Sequence, residues 1–385
     1  MVLVSQLPFS IYIVWGSYTG VVKWGDNSYK TEIMILVVAV LGIVEKYLLE
    51  QDYFKSYLCL LIFPTLIFVA LNSITPTERK HLRWLVLAFF VTECVIAIVE
   101  HNLKVNFFLT EDEVPVDLSE GWLFRSTSIL GHPLMNAMVV AVMSIFIVTT
   151  NSLGMVSKAL LFVLGFFAIL AFNARAATLV SFFVTLPLLF REFYKAKGLR
   201  SSSIFLLILV LLVAYYLTVN VGIWGGRLLN SDNVFDGSAH TRIEVFEFYK
   251  YLNWDQILYG HPDNYAYLMN KLGTGGVENG EISLIIKYGL FFVLFFFPLL
   301  VMFHLKWLTR YYSKIDVWAI MIIFYLIGSA NPNLSLPFCW TYWVFSFQAF
   351  RPELSNEDSE FSDNDGEALT EEHQDSLYDE DSLAE

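Results

Sequence analysis

Apolar residues recur along this chain in blocks of roughly 15–22, each about long enough to cross the hydrocarbon core of a bilayer as a helix. No alternating β-barrel pattern is present, and in lipid a helix satisfies every backbone N–H and C=O from within its own segment. The pattern predicts eleven spans, near 2–22, 33–49, 57–74, 84–101, 134–150, 159–172, 176–190, 204–221, 282–303, 317–330 and 337–350.

Three short polar stretches carry several cations: Glu78–Arg83, Arg191–Arg200 and Lys306–Lys314. The positive-inside rule places all three in the cytoplasm. Alternating the spans between them sends segments 102–133 and 222–281 outward and leaves the C-terminus inside. Parity then puts the N-terminus outside, with the first span re-entrant or the chain beginning one span late. Residues 1–22 lack a basic leader region and a small-residue cleavage site, so they do not read as a signal peptide.

Lys158 to Arg191 is one apolar run broken only by Asn173-Ala174-Arg175. As a single helix it would rise about 48 Å, against a core of about 30 Å. A tight hairpin is expected instead, with arms of about 22–24 Å and Arg175 at the outer interface, turned toward the bundle. A guanidinium there costs at least about 2.5 kcal/mol unless paired or wetted. A purely structural arginine would snorkel outward.

Composition agrees with a polytopic membrane protein: 385 residues, 56% hydrophobic and 17% aromatic. The net charge of −13 is misleading as an average, because residues 353–385 hold 14 acids and no Lys or Arg. Without them the body is close to neutral. The reading is two parts, an all-α transmembrane domain over 1–352 and a disordered acidic cytoplasmic tail over 353–385. Such a tail more often solubilises than binds a partner. Cys59, Cys94 and Cys339 sit in apolar runs and read as small buried hydrophobes.

Candidate chemistry gathers on the outer side. Arg125, Arg175, Arg227, Arg242 and Glu278 all fall there, opposite to where topology-setting arginines belong. Several guanidiniums bind a diphosphate through bidentate, charge-assisted hydrogen bonds and stabilise it as it leaves. A nearby carboxylate, Glu278, can deprotonate an attacking sugar hydroxyl, and His132 or His261 is a lesser candidate base. A lone interfacial histidine such as His132 is more often a satisfied hydrogen-bonding residue. Trp122, Trp224, Trp254, Tyr265 and Tyr267 offer faces for sugar rings, the alternative being an aromatic belt at the interface. Ile243, Phe246, Tyr249 and Leu252 approximate helical spacing and predict an amphipathic helix lying in the outer interface. Gly273-Thr274-Gly275-Gly276 matches no phosphate loop and reads as a turn. Glu93, mid-span, reads as a partner for a cation such as Arg175, or as a proton-relay group. No metal-ligand spacing or acidic divalent-cation motif is visible, and no cofactor is expected.

These motifs, in this order, resemble the bacterial O-antigen polymerase and ligase superfamily (Wzy- and WaaL-like membrane glycosyltransferases). The similar stretches are Arg125…His132-Pro133…Asn136, then Asn173-Ala174-Arg175-Ala176-Ala177, then Arg242…Tyr249…Trp254…Tyr259-Gly260, and Glu278-Asn279-Gly280…Tyr288-Gly289. They cover about 120–303; each is short and degenerate, and their order carries the weight. The resemblance implies a GT-C-type, metal-independent helical fold in the bacterial inner membrane, with its active site facing the periplasm. It implies a donor glycan on undecaprenyl pyrophosphate and a lipid-linked acceptor, and it leaves room for a chain-length regulator; no nucleic-acid partner is expected. Glu278, Arg175, Arg242 and His132 would then be catalytic, and Arg125, Arg227, His261, Asn279 and Trp254 would bind substrate. Ligases of the family usually have histidine where Glu278 stands, which favours the polymerase. The alternatives are a ligase with another acceptor, and a secondary transporter or lipid-linked sugar flippase; the latter lacks the matched halves expected of transporters.

Overall fold

The structure is a computed structural model and describes residues 29–49, 54–108, 124–195, 245–272, 277 and 279–352. The expected spans near 2–22 and 204–221, the acidic tail, and Trp122, Trp224, Arg227, Arg242, Gly273–Gly276 and Glu278 lie outside the described residues. Among the described residues every regular element is helical. Twelve helices are labelled here. They are α1 (Lys30–Leu48), α2 (Phe54–Asn72), α3 (Pro76–Leu103), α4 (Pro133–Thr149), α5 (Met155–Ala171) and α6 (Arg175–Lys195). They continue with α7 (Trp254–Tyr259), α8 (Pro262–Leu272), α9 (Gly280–Tyr288), α10 (Leu290–Tyr311), α11 (Lys314–Ser329) and α12 (Pro337–Phe350). Helices α2 and α6 each contain one π turn, at Leu58–Ile62 and Ser181–Thr185.

Four of these, α2, α3, α6 and α10, are long and apolar enough to cross a membrane; α4 and α5 are apolar but shorter. Large apolar side chains point outward along the bundle, among them Leu41, Phe183, Phe295 and Trp318. Exposure of that kind suits a lipid-facing surface and would be costly in water. The interior is aromatic. Trp343 stacks on Phe347 with ring centroids 5.2 Å apart, and Phe68 meets Phe303 edge-on at 4.7 Å. Where α3, α4 and α5 meet, a Cβ on Gly165 would come within 2.7 Å of Ser144 Oγ and 2.9 Å of Phe90. The missing side chain lets the helices approach, as small residues do in membrane bundles.

Among the described residues, most of the cations in these stretches lie on helix ends rather than in loops. Thr75 and Glu78 form a capping box with Pro76 in the first turn, so α3 starts well before residue 84 and carries Arg79, Lys80 and Arg83 on its opening turns. Arg191 and Lys195 close α6, which runs to Lys195 and so rises about 31 Å, longer than the hairpin arm expected from the sequence. Lys306 and Arg310 lie in the last turns of α10.

The described parts of all three stretches sit at one end of the bundle. Arg191 pairs with Asp316 at the start of α11, and the Arg83 Nε donates to Ala349 O near the end of α12 at 2.9 Å. Arg351 joins Asn72, at the end of α2, to the Tyr311 hydroxyl. Glu32, at the start of α1, accepts from Lys306 at 3.0 Å and from the Trp307 indole. The helices therefore alternate in direction between this basic end and an opposite end, at which α1, α3 and α5 finish and α4, α6 and α12 begin.

One expected span is corrected. The stretch 282–303 is not a single helix, because Gly289 (φ +93°) breaks it into α9 and α10. Gly289 also lies against Gly260 (φ +66°), and a Cβ at Gly289 would be 2.5 Å from Leu258 O and Tyr259 C. Only glycine fits that contact at that dihedral. Helix α9 belongs instead to a small cap with α7 and α8, built on its own apolar cluster of Val245, Leu252, Ile257, Leu268, Val277, Ile282 and Ile286. The amphipathic helix expected around 243–252 is a 3-10 turn, Val245–Lys250, with Val245 and Leu252 inward and Phe246 and Tyr249 exposed. Spacing fitted to a 3.6-residue period misplaces side chains in a tighter helix.

Candidate anion-binding end of the bundle

The end opposite the cations is organised by a buried carboxylate. Glu100, in the last turn of α3, is fully buried. Its Oε2 accepts from Ser126 Oγ at 2.5 Å, Thr127 N at 3.0 Å and Ser128 N at 2.8 Å, and its Oε1 accepts from Phe107 N at 2.8 Å. Helix α3 stops at Lys104, whose left-handed φ of 56° reverses the chain and brings Phe107 back onto Glu100. Burial pushes the Lys104 ammonium below its ordinary pKa. Four donors on one carboxylate fix the backbone of 126–128, where Ser128 holds φ +40°.

That loop carries Arg125. Its Nε donates to Phe172 O at 3.2 Å, while Ser126 N donates to Ala171 O at 3.2 Å. His101 Nδ1 lies 3.2 Å from the same Ala171 oxygen. The unpaired carbonyls that end α5 are thereby satisfied, and a guanidinium sits at the negative end of that helix. The chain turns at Asn173 (φ +52°), and Arg175 opens α6. The hairpin expected at Asn173-Ala174-Arg175 is present, with Arg125 tied to the turn that leads into Arg175. Arg125 and Arg175 are both partly exposed.

His132 stands at the N-cap position of α4 and is exposed; its ring makes no cap hydrogen bond. The next turn is anchored to the Arg125 loop because Asn136 Nδ2 donates to Thr127 O. Asn279 caps α9, its Oδ1 accepting from Ile282 N at 2.8 Å. The start of α9 lies tight on the end of α11: a Cβ on Gly280 would be 2.5 Å from Gly328 O, and Ser329 Oγ donates to Glu281. The 3-10 turn Pro332–Ser335 links α9 to α4, through Ser283 Oγ to Ser335 Oγ at 2.9 Å and Asn333 Nδ2 to Leu134 O at 3.1 Å. Arg125, His132, Arg175 and Asn279 thus share one end of the bundle, where the N-termini of α4, α6 and α9 add partial positive charge.

Two further candidates lie elsewhere in the cap, at the start of α7 and between α7 and α8. Trp254 opens α7 and is 73% exposed. His261 docks by its backbone, N to Ile286 O at 3.1 Å, and its Nδ1 faces Asp263 N at 3.2 Å. The expected pairing of Glu93 with Arg175 is not made. The Glu93 Oε2 accepts Ile129 N at 3.3 Å, and among the described residues no cation reaches it. Glu93 instead backs the same loop that Glu100 holds.

Sequence reasoning missed Glu100, His101 and Lys287. An adjacent Glu-His pair closing a span, followed in the next polar stretch by Ser126-Thr127-Ser128, was the available signal. No protein-family model, curated protein or solved structure matches the chain.

Proposed function

We propose that the protein is a polysaccharide polymerase of the O-antigen type, transferring a glycan from undecaprenyl pyrophosphate to a lipid-linked repeat unit. In this reading eleven spans alternate across the bacterial inner membrane, the basic end and the acidic tail are cytoplasmic, and the Arg125–Arg175 end faces the periplasm. The acceptor hydroxyl attacks the anomeric carbon and gives its proton to Glu278. The bond from that carbon to the diphosphate oxygen breaks, and the departing diphosphate stays with Arg125, Arg175 and Arg242. Stabilising charge that develops only as the bond breaks is what accelerates such a transfer.

The observation that carries this reading is the placement of Arg125 and Arg175 around one turn, at the end of the bundle where three helix N-termini gather. Guanidiniums there have no topological role, because the cations that set orientation lie at the other end. The test is glycan length in cells carrying Arg175→Ala or Arg242→Ala. Loss of long chains with membrane insertion intact is expected. Normal ladders from both variants would overturn the proposal.

A further inference from the structure

Against the Pro332–Ser335 turn stands a lysine that behaves unlike a surface lysine. Lys287 lies near the end of α9, two residues before the Gly289 break, and so outside α10. A lysine there would ordinarily extend its four-carbon stem and place the ammonium in water. This one turns inward. Its Nζ is 3.3 Å from Ser335 Oγ and 4.6 Å from the centroid of the Tyr265 ring.

Ser335 is itself buried and is held by Ser283 Oγ at 2.9 Å and by Pro332 O at 2.7 Å. Tyr265 is pinned by its hydroxyl, which accepts Val277 N at 3.2 Å. Both partners of the ammonium are therefore fixed, and both are neutral. Among the described residues no carboxylate lies within ion-pair distance of it. Burial pushes the Lys287 pKa down, which is what a half-buried cation without a counter-charge should show. A hydroxyl and a ring face offset only part of that cost, so an anion arriving beside Nζ gains a charge-assisted hydrogen bond at little expense in reorganisation.

We infer that Lys287 and Ser335, with the face of Tyr265, form a second phosphate-binding position that holds the headgroup of the lipid-linked acceptor. The inference rests on the proposed polymerase reading and deepens it. In that reaction two lipid diphosphates must be present together, and they have opposite needs. The donor diphosphate acquires charge as its bond to the sugar breaks, which suits paired, planar guanidiniums. The acceptor diphosphate keeps its bond throughout and needs only to be positioned, for which one compact ammonium and a hydroxyl suffice. Lys287 is carried by α9, and the arginines by the Arg125 loop and the start of α6, so a donor and an acceptor headgroup need not share a site.

The test is equilibrium binding to the full chain in lipid nanodiscs, with inorganic pyrophosphate and with a short-chain polyprenyl diphosphate as probes. In an Arg175→Ala background, remaining binding of the polyprenyl probe should weaken about tenfold on Lys287→Ala, the scale of one charge-assisted hydrogen bond, and return with Lys287→Arg. Binding unchanged by Lys287→Ala overturns the inference. If that variant does not fold, Ser335→Ala takes its place, and unchanged affinity there overturns it equally. Tighter binding of the polyprenyl probe than of pyrophosphate supports a lipid headgroup; equal affinity overturns the assignment to an acceptor lipid. Binding that is lost with Lys287→Ala but indifferent to Arg175→Ala would keep this site and sink the donor site.

Discussion

The Glu100 carboxylate accepts the Ser128 N–H at 2.8 Å, and through this bond the end of one helix dictates the path of a loop 28 residues later in the chain. The same oxygen takes Ser126 Oγ and Thr127 N, and the other takes Phe107 N. Removing the carboxylate leaves several buried donors without an acceptor, each worth about 1–3 kcal/mol. Glu100→Ala should therefore cost about 3 kcal/mol, measured by unfolding in detergent. Glu100→Gln should cost less, since one acceptor oxygen remains. The Arg125 loop depends on this anchor, so glycan length should shorten in step with the stability loss. A Glu100→Ala protein as stable as the parent would show that water replaces the carboxylate.

At the basic end, Arg191 of α6 reaches Asp316 of α11, which also accepts Ser313 Oγ at 2.6 Å. The pair is only partly exposed, with side chains 25% and 10% accessible, so screening is reduced but not removed. A double-mutant cycle with Arg191→Ala and Asp316→Ala should give a coupling of about 1 kcal/mol, within the range for residues in contact. Coupling near zero would mean that Ser313 alone determines what Asp316 contributes.

Helix contacts make a sharper steric prediction. Gly165 has Ser144 and Phe90 where a Cβ would go, whereas nothing lies within 4 Å of a Cβ at Gly154. Gly165→Leu should destabilise by about 1–3 kcal/mol through overpacking. Gly154, the N-cap of α5, should accept serine with a change of only a few tenths of a kcal/mol. Equal unfolding midpoints for the two variants would contradict the close approach of α3, α4 and α5.

Much of this architecture was legible because lipid leaves the chain few choices. Long apolar runs had to be helices, and the Asn173-Ala174-Arg175 interruption had to be a turn because a single helix there outruns the bilayer. What sequence could not resolve were the places where local chemistry overrides hydropathy. A capping box started α3 early and turned a cationic loop into helix, while one glycine at positive φ split an apolar run and handed α9 to the cap. Arg125, His132, Arg175 and Asn279 were read from motif order, and the structure brings them to one end. Glu100 and Lys287 went unseen because each acts through partners distant in sequence: a serine loop for one, a 3-10 turn for the other. Glu93 reads from sequence as a cation's partner or a proton-relay group, yet its Oε2 accepts a backbone N–H, that of Ile129.

The Gly260–Gly289 contact offers a test of how the cap is fastened. Both residues hold positive φ; Gly289 N fills the space of a Gly260 Cβ, and the Leu258–Tyr259 backbone fills that of a Gly289 Cβ. Alanine at either position adds a strained dihedral, of order 1–3 kcal/mol, to a steric clash with main-chain atoms. Gly289→Ala should loosen α7–α9 from α10, raising protease sensitivity between residues 245 and 289 while the rest of the bundle stays protected. Uniform protection across the chain would show that the cap is held elsewhere.

The two arginines should respond differently to replacement by lysine. The Arg125 Nε donates to Phe172 O at 3.2 Å, and Arg175 opens α6. Lysine preserves the charge at either site but loses the planar fork that grips two phosphate oxygens at once. Arg175→Lys should therefore lose about a hundredfold in transfer rate, the scale of removing one preorganised donor to developing negative charge. Arg125→Lys should lose rate and stability together, because the carbonyl at the end of α5 loses its donor too. The comparison separates binding chemistry from scaffolding: full polymer length in Arg175→Lys would mean that this position supplies charge alone, and the case for a gripped diphosphate would fail there.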